Sequence, residues 1–529
     1  MNDVTELLPT KASYLPTEPI EIEVRGDRAP GEFVVLHLGD EVLRLPYDGA
    51  ELVTIPELGA GGFGVELHRD GAIARTAIDV RENPRERLRY GFVVDYAPDR
   101  DVAAVADNLR RLHLTGVLFY DWAYRHADLL GGGEQYDDAL AQPVSLPTVR
   151  RLVDAVQQAG SRALGYAAVY AVGPQHWAAW QHDAVLTASG EPYALGDFLF
   201  IVDPAAPDWL AHFETELADA TAAIGFDGYH LDQFGYPKAA LRADGETIDM
   251  AESFATMIEG VRSRLPEAHL VFNNVNDFPT WRTSSLDQDA VYIEPWAPQT
   301  TLGSLARVVT RARVGNEKPI VLAAYQHVYD SADAAASDRA TALTMATLYS
   351  RGGTQLLAGE ADRILVDPYY VRNHVAEAST RELLKRWYDF LVEHDELLLD
   401  PSAVDVTGSY AGEYNDDCEV GYDRAAVSGE ATAGEVWRSI TAVRGRLVVN
   451  LINLVGQTDT LWDAPRNPFG DPGRGTLRVR RLLGRTPRVR VADPDREGRL
   501  IDLDVTLDGD HAVAHLPALG AWQLVLIDL

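Results

Sequence analysis

The chain has 529 residues, 46% hydrophobic and 24% charged, with a formal net charge of −33. That length allows two to four domains and a sizeable core, while the charge opposes nucleic acid or an anionic membrane as partner, because both are polyanions. The single cysteine, Cys418, excludes an internal disulfide and any multi-cysteine metal site, and no apolar run approaches the roughly 20 residues that span a bilayer. Lysine is confined to Lys11, Lys238, Lys318 and Lys385. Such an acidic surface fits a salt-adapted, halophilic protein whose carboxylates hold water and cations, or equally a high-GC genome plus solubility. The N-terminus, MNDVTELLPTKASYLP, lacks a basic start followed by an apolar stretch. It reads as cytoplasmic, or as a secreted protein whose leader has been removed.

Residues 1–86 carry short alternating runs such as Ile20-Glu21-Ile22-Glu23-Val24 and Phe63-Gly64-Val65-Glu66-Leu67, separated by Gly- and Asp-containing turns. This pattern predicts a small immunoglobulin-like β-sandwich. Arg81-Glu82-Asn83-Pro84-Arg85 reads as a linker. Over 87–400 apolar strand-like runs alternate with helical periods. Eight strands are predicted near 90–96, 116–122, 161–170, 226–233, 269–276, 289–296, 319–325 and 352–359, with helices between them. In the first helix Val102, Val105, Leu109 and Leu112 share a face; Pro207 opens the third at a favoured first-turn position. Eight βα units over that length predict a (β/α)8 TIM barrel. Over 401–529 the helical pattern stops. Val436 to Leu454 reads as two strands joined at Arg444-Gly445, Ile501 to Leu516 turns at Asp508-Gly509-Asp510, and Gln523 to Leu529 closes a second β-sandwich.

Active sites of such barrels lie at the C-terminal ends of the strands. The residues there are one-sided: Asp95, Asp121 and Trp122, Tyr166, Asp232, Asn273-Asn274, Glu294 and Trp296, Tyr325, and Glu360 after the eighth strand, with Tyr124, Arg125 and His126 following the second. Aromatic rings stack on pyranose faces, while amides and carboxylates bind hydroxyls. Hydrolysis of a glycoside needs two carboxyl groups flanking the scissile bond. Asp232 and Glu294 are the best pair, since each ends a strand and the strands stand two apart; Asp227 lies near the start of its strand. Against this, a strand-end aspartate is as often a helix N-cap, and Trp122 is a core residue in about one case of three. No histidine pair has metal-ligand spacing and no GxGxxG follows a strand, so neither a metal nor a dinucleotide cofactor is expected.

Three segments carry a resemblance: Phe119-Tyr120-Asp121-Trp122-Ala123-Tyr124-Arg125-His126, Gly225-Phe226-Asp227-Gly228-Tyr229-His230-Leu231-Asp232 and Val291-Tyr292-Ile293-Glu294-Pro295-Trp296. They resemble, in order, the segment after strand 2, the strand 4 motif and the strand 6 motif of glycoside hydrolase family 66, with further likeness at Trp387 to Val392, Val436-Trp437-Arg438 and Leu451 to Leu454. The resemblance implies a dextranase-like enzyme acting on α-1,6-linked glucan by a retaining double displacement, without cofactor. Asp232 is then the nucleophile and Glu294 the acid/base; Asp121, Trp122, Tyr124, His126, Tyr166, Asn274, Trp296, Tyr325 and Glu360 bind sugar. Cyclising members of the family carry a module inserted in the barrel, for which the 326–351 segment is too short, so hydrolysis is favoured. One departure stands out: where members often have GxHxELG, this chain has Gln355 and Leu357 in place of His and Glu. The alternatives are a retaining glycosidase or transglycosylase on another α-glycoside, and a non-catalytic glycan-binding protein.

Overall fold

The computed structural model describes residues 5–69, 71–412, 415–481 and 484–528. Its centre is one eight-stranded parallel sheet in sequential order. The strands are β1 (Tyr90–Val93), β2 (Gly116–Phe119), β3 (Arg162–Ala168), β4 (Gly228–Asp232), β5 (His269–Val275), β6 (Ala290–Glu294), β7 (Ile320–Leu322) and β8 (Gly353–Gln355). All lie inside the predicted runs. Apart from Arg162 at the start of β3 and Asp232 at the end of β4, both half-buried, all their residues are buried, which explains why the strands read as continuous apolar runs rather than alternating ones. The chain closes the barrel at the β8–β1 seam. Glu360 N donates to Phe92 O at 2.7 Å, the Glu360 carboxylate accepts from Val94 N and Asp95 N at 3.0 and 3.2 Å, and Thr354 Oγ1 donates to Leu88 O at 3.0 Å. The two backbones approach so closely that a Cβ on Gly359 would stand 2.1 Å from Phe92 O, so only glycine fits there.

The helices that clothe the barrel start and stop on local signals. Asp101 caps Val102–Arg111 by accepting from Ala104 N. Pro207 opens Pro207–Ile224, and Gly225, at φ 89°, ends it. Thr301 and Ser304 form a reciprocal capping box at the head of Leu302–Ala312. The fifth unit departs from expectation: between β5 and β6 stands a single turn, Thr280–Thr283, in place of a long helix. Its Trp281 is exposed on the surface. Among the described residues no helix is long and apolar enough to cross a membrane.

Before the barrel, a three-stranded sheet (Glu6–Pro9, Ile20–Arg25, Leu52–Ile55) and a four-stranded sheet (Gly31–His37, Asp40–Tyr47, Gly61–Arg69, Ala72–Val80) enclose a separate apolar core. The predicted linker is a weld at its first residue. Arg81 is buried and pairs with Asp79 at 2.6 Å and with Asp395, while Arg87 holds Asp395 at 3.0 Å and Arg89 holds Asp79 at 2.8 Å. Two buried carboxylates thus serve three buried guanidiniums. Removing one partner of such a set leaves uncompensated charge in a dry interior, at a cost of about 3–5 kcal/mol. Asp395→Ala is therefore expected to lower the urea midpoint sharply. Equal midpoints for wild type and Asp395→Ala would refute the weld.

After the barrel, a seven-stranded sheet, antiparallel except where Val427–Ser428 runs parallel to Val436–Val443, and a four-stranded antiparallel sheet pack as a second sandwich. The hairpin Val436–Val443 and Arg446–Asn453 turns at Arg444-Gly445, both at positive φ, as its sequence predicts. The Ile501 to Val505 run divides between sheets: Ile501–Asp502 pairs with Arg488–Ala492, whereas Val505–Asp508 pairs with His511–Leu516. The final strand is Trp522–Asp528; Leu529 lies outside the described residues. Trp522 packs on Trp387 and Phe390 of the last barrel helix, ring centroids 5.8 and 5.0 Å away. A loop of this domain reaches the barrel mouth. Trp462 Nε1 donates to Gln299 O at 2.7 Å, and Asp463 accepts from Val328 N and meets His327 Nδ1, each at 2.9 Å.

Candidate active site

In-register neighbours of a parallel sheet point to the same side. The ladders pair Tyr166 with His230, Ala168 with Asp232, Asn273 with Tyr292 and Val275 with Glu294. Tyr166, His230, Asp232, Asn273, Tyr292 and Glu294 all face a cleft of about 280 Å³ at the mouth of the barrel. Asp232 ends β4 and Glu294 ends β6, and one side chain of the strand between them touches both. Asn273 Nδ2 donates to Asp232 Oδ1 at 2.7 Å and to Glu294 Oε2 at 3.1 Å. The second oxygen of Asp232 accepts from Tyr166 Oη at 2.7 Å. Beneath them lies an aromatic floor: His230 meets Tyr292 edge to face at 4.7 Å and Tyr90 at 5.9 Å.

This environment pushes the two carboxyl groups differently. Burial raises the Glu294 carboxyl first, the neighbouring Asp232 charge raises it further, and contacts with Asn273, Tyr325 and Trp296 pull it partway back, leaving it at about 7. Burial also raises Asp232, but donation from Asn273, Tyr166 and the Gln233 backbone opposes it. Asp121, at φ 44°, is held in a backbone conformation unusual for a non-glycine residue. Burial, then the charges of Asp138 and Asp232, raise its carboxyl well above the usual range. Burial lowers His126 to about 4 and His230 to about 3, so both imidazoles are neutral donors or acceptors near pH 7.

Of the residues singled out in the sequence, Asp121, His126, Tyr166, Asp232, Glu294, Trp296 and Tyr325 line the cleft. Four do not. Trp122 is fully buried, packed edge to face on Phe226, with Nε1 donating to Tyr166 O at 3.2 Å; it props β3 from outside the cleft. Tyr124 packs against Tyr136 and is covered by the Arg125 guanidinium. Asn274 points away from the barrel interior, where its amide donates to Phe272 O and Tyr292 O and accepts from Thr283 Oγ1. Glu360 is spent on the seam. The cleft instead recruits residues outside the sugar-binding set expected from the sequence. Asn273 is the neighbour of the asparagine chosen there. Tyr370, in a turn after β8, stacks on Tyr120 with centroids 4.2 Å apart. Phe198 comes from the long β3–β4 connection. Gln355 and Leu357 are buried outside the cleft lining, Gln355 donating to Ala324 O at 2.7 Å. Among the described residues no group of three or more His, Cys, Asp or Glu side chains could hold a metal ion.

A closed barrel thus carries at its mouth two carboxyls bridged by one amide, beside an aromatic wall. The chain belongs to glycosyl hydrolase family 66, whose model matches residues 11–526. It is 25% identical over 370 residues to a cycloisomaltooligosaccharide glucanotransferase of Niallia circulans, covering 61% of this chain and 38% of the relative. It is 23% identical over 449 residues to a dextranase of Streptococcus salivarius, covering 72% of this chain and 54% of the relative. The chain thus spans between about a third and about a half of these relatives' length. The solved structure of a Paenibacillus sp. cycloisomaltooligosaccharide glucanotransferase complexed with cycloisomaltoheptaose superposes with a TM-score of 0.88 over 99% of both chains at 20% identity. That likeness shares the fold.

Proposed function

We propose that this chain is a retaining glycoside hydrolase that cleaves α-1,6-glucosidic linkages of dextran or isomaltooligosaccharides. The observation that carries this reading is the shared amide of Asn273. Its two hydrogen bonds, laid end to end, limit the separation of the bonded Asp232 and Glu294 oxygens to about 6 Å. Carboxyl groups that close leave no room for a water on the far side of the sugar, which inverting enzymes require, and match the roughly 5–5.5 Å of retaining ones. The names of the relatives supply the substrate class.

In the first step an Asp232 oxygen attacks C1 as the glycosidic C–O bond breaks, and the leaving oxygen takes the Glu294 proton. In the second, the Glu294 carboxylate takes a proton from water, whose oxygen attacks C1 and releases the Asp232 carboxylate. Two inversions return the α configuration. Asp232 must start charged and Glu294 protonated, and their unequal surroundings favour that order. Tyr166 and Asn273 each hold one Asp232 oxygen, and Trp296 and Phe198, both partly exposed in the cleft lining, offer faces for sugar rings.

Transfer to a sugar hydroxyl passes through the same glycosyl-enzyme, and the end-to-end likeness to a glucanotransferase supports it as a second outcome. Helix Ala334–Tyr349 fills the β7–β8 connection, and the products tell hydrolysis from transfer. Product analysis on dextran and isomaltooligosaccharides, in low and multi-molar salt, with the first-formed anomer read by NMR, decides. Shorter α-1,6 oligosaccharides released as α-anomers are expected. First-formed β-anomers would defeat the retaining mechanism, and no turnover of any α-1,6 glucan would defeat the substrate class.

A further inference from the structure

One amide divides its two hydrogens between two carboxylates. The orientation of the Asn273 side chain suits this: the amino end has two hydrogens for two acceptor oxygens, Asp232 Oδ1 and Glu294 Oε2. The backbone is held as well, the main-chain carbonyl of Asn273 accepting from Gln233 Nε2 at 3.1 Å. Its Oδ1 is buried and has no partner.

We propose that Asn273 is the positioning residue of the site, setting the spacing of Asp232 and Glu294 and holding the carboxylate form of Glu294 within reach of turnover. The inference rests on the roles given to the two carboxylates above. Glu294 has to lose its proton in the first step and regain one in the second. Burial and the Asp232 charge both oppose its charged form. The Asp232 charge disappears when the ester forms, but burial remains. A fixed N–H donor to Glu294 is then what keeps its carboxylate available as a base toward water. Asp232 therefore acts as the part of the field that switches, and Asn273 as the part that stays constant.

The other ionisable groups lining the cleft are Tyr120 and Asp121 on the β2 side, His126 after them, Tyr166 on β3, His230 on β4, Tyr292 on β6, Tyr325 after β7, and Tyr369 and Tyr370 after β8. Burial pushes the phenols of Tyr120, Tyr166, Tyr292, Tyr325 and Tyr370 up and the imidazoles down, which leaves Asp121 as the other carboxyl to control for.

The test compares wild type with Asn273→Ala, Asn273→Ser and Asp121→Asn. The Glu294 carboxyl is titrated by infrared difference against Glu294→Gln, alongside kcat and kcat/KM as functions of pH. Asn273→Ala is expected to move the Glu294 midpoint up by about one pH unit and to lower kcat by about 100-fold. Asn273→Ser, which keeps one donor, is expected to fall between, and it decides the matter if the alanine variant does not fold. Asp121→Asn is expected to leave the Glu294 midpoint in place. A folded Asn273 variant with the wild-type Glu294 midpoint overturns the proposal. Near-normal turnover by Asp232→Asn would instead overturn the carboxylate assignment beneath it, so the two failures are separable.

Discussion

Asp232→Asn is expected to lower turnover by roughly four orders of magnitude, as removal of a covalent nucleophile does elsewhere, with an unchanged circular dichroism spectrum. The fold should tolerate the change because the new amide is nearly isosteric. Its oxygen can face the Asn273 donor, while its NH2 faces Tyr166, whose hydroxyl can turn and accept. What the amide lacks is nucleophilicity, and nothing beside it can substitute: Glu294 is committed to the leaving oxygen, and Asp121 sits on the far side of Tyr166 in the chain order of the strands. The chemistry offers a second readout. With Asp232→Gly and an activated α-glucoside, azide can occupy the vacated space and form a β-glycosyl azide, with the aryl oxide leaving and C1 inverted. Near-normal activity in Asp232→Asn, or azide rescue giving the α-azide, would contradict the assignment.

Glu294→Gln is expected to abolish the falling limb of the kcat/KM profile, which for the wild type should centre near pH 7, where the acid gives up its proton. The loss should be largest for poor leaving groups and small for acidic phenols, which depart without a proton. The same replacement carries a stability signature whose sign follows from linkage. The Glu294 carboxyl stands at about 7 in the folded chain against an ordinary value of 4.5. Below pH 4.5 both states hold the proton and the group is neutral in its effect. Between 4.5 and 7 the unfolded chain releases its proton first, so folding is increasingly opposed. Above 7 the cost is constant at about 3 kcal/mol. Glu294→Gln should therefore melt higher than wild type at pH 8 and no higher at pH 4. Equal melting behaviour at both pH values would mean that Glu294 is not held protonated by its site.

The barrel strands were legible because buried parallel strands are written as short apolar runs between turn residues, and the acidic and aromatic residues at their ends stand out against that background. Side-chain parity was legible too, though it needed an anchor. Once Glu294 is taken to face inward, Tyr292 does also, and β5 in register with β6 brings Asn273, not Asn274, to the same side. That register is set by packing across the sheet, and the dipeptide Asn-Asn does not reveal it. Trp122 resembled a sugar platform because it follows Asp121, but the positive φ of Asp121 turns the chain so that the tryptophan lies behind β3. Glu360 resembled a strand-end acid, but it is needed where the first and last strands meet, a contact between segments more than 260 residues apart. The Tyr370 and Phe198 positions come from irregular loops whose course no periodicity encodes. Arg81 resembled linker because charged residues usually mark exposed chain; only the three-dimensional meeting with Asp79 and Asp395 makes burial tolerable.

The Trp462–Asp463 loop gives the enzyme a built-in order of events during synthesis. Both carboxylates leave the ribosome long before this loop does, yet the segments after β6 and β7 that carry Trp296 and Tyr325 are braced by it. A nascent chain that has completed the barrel but not the second sandwich holds its reactive groups on unbraced loops. Bracing of the barrel mouth is then completed only after the whole barrel has been made.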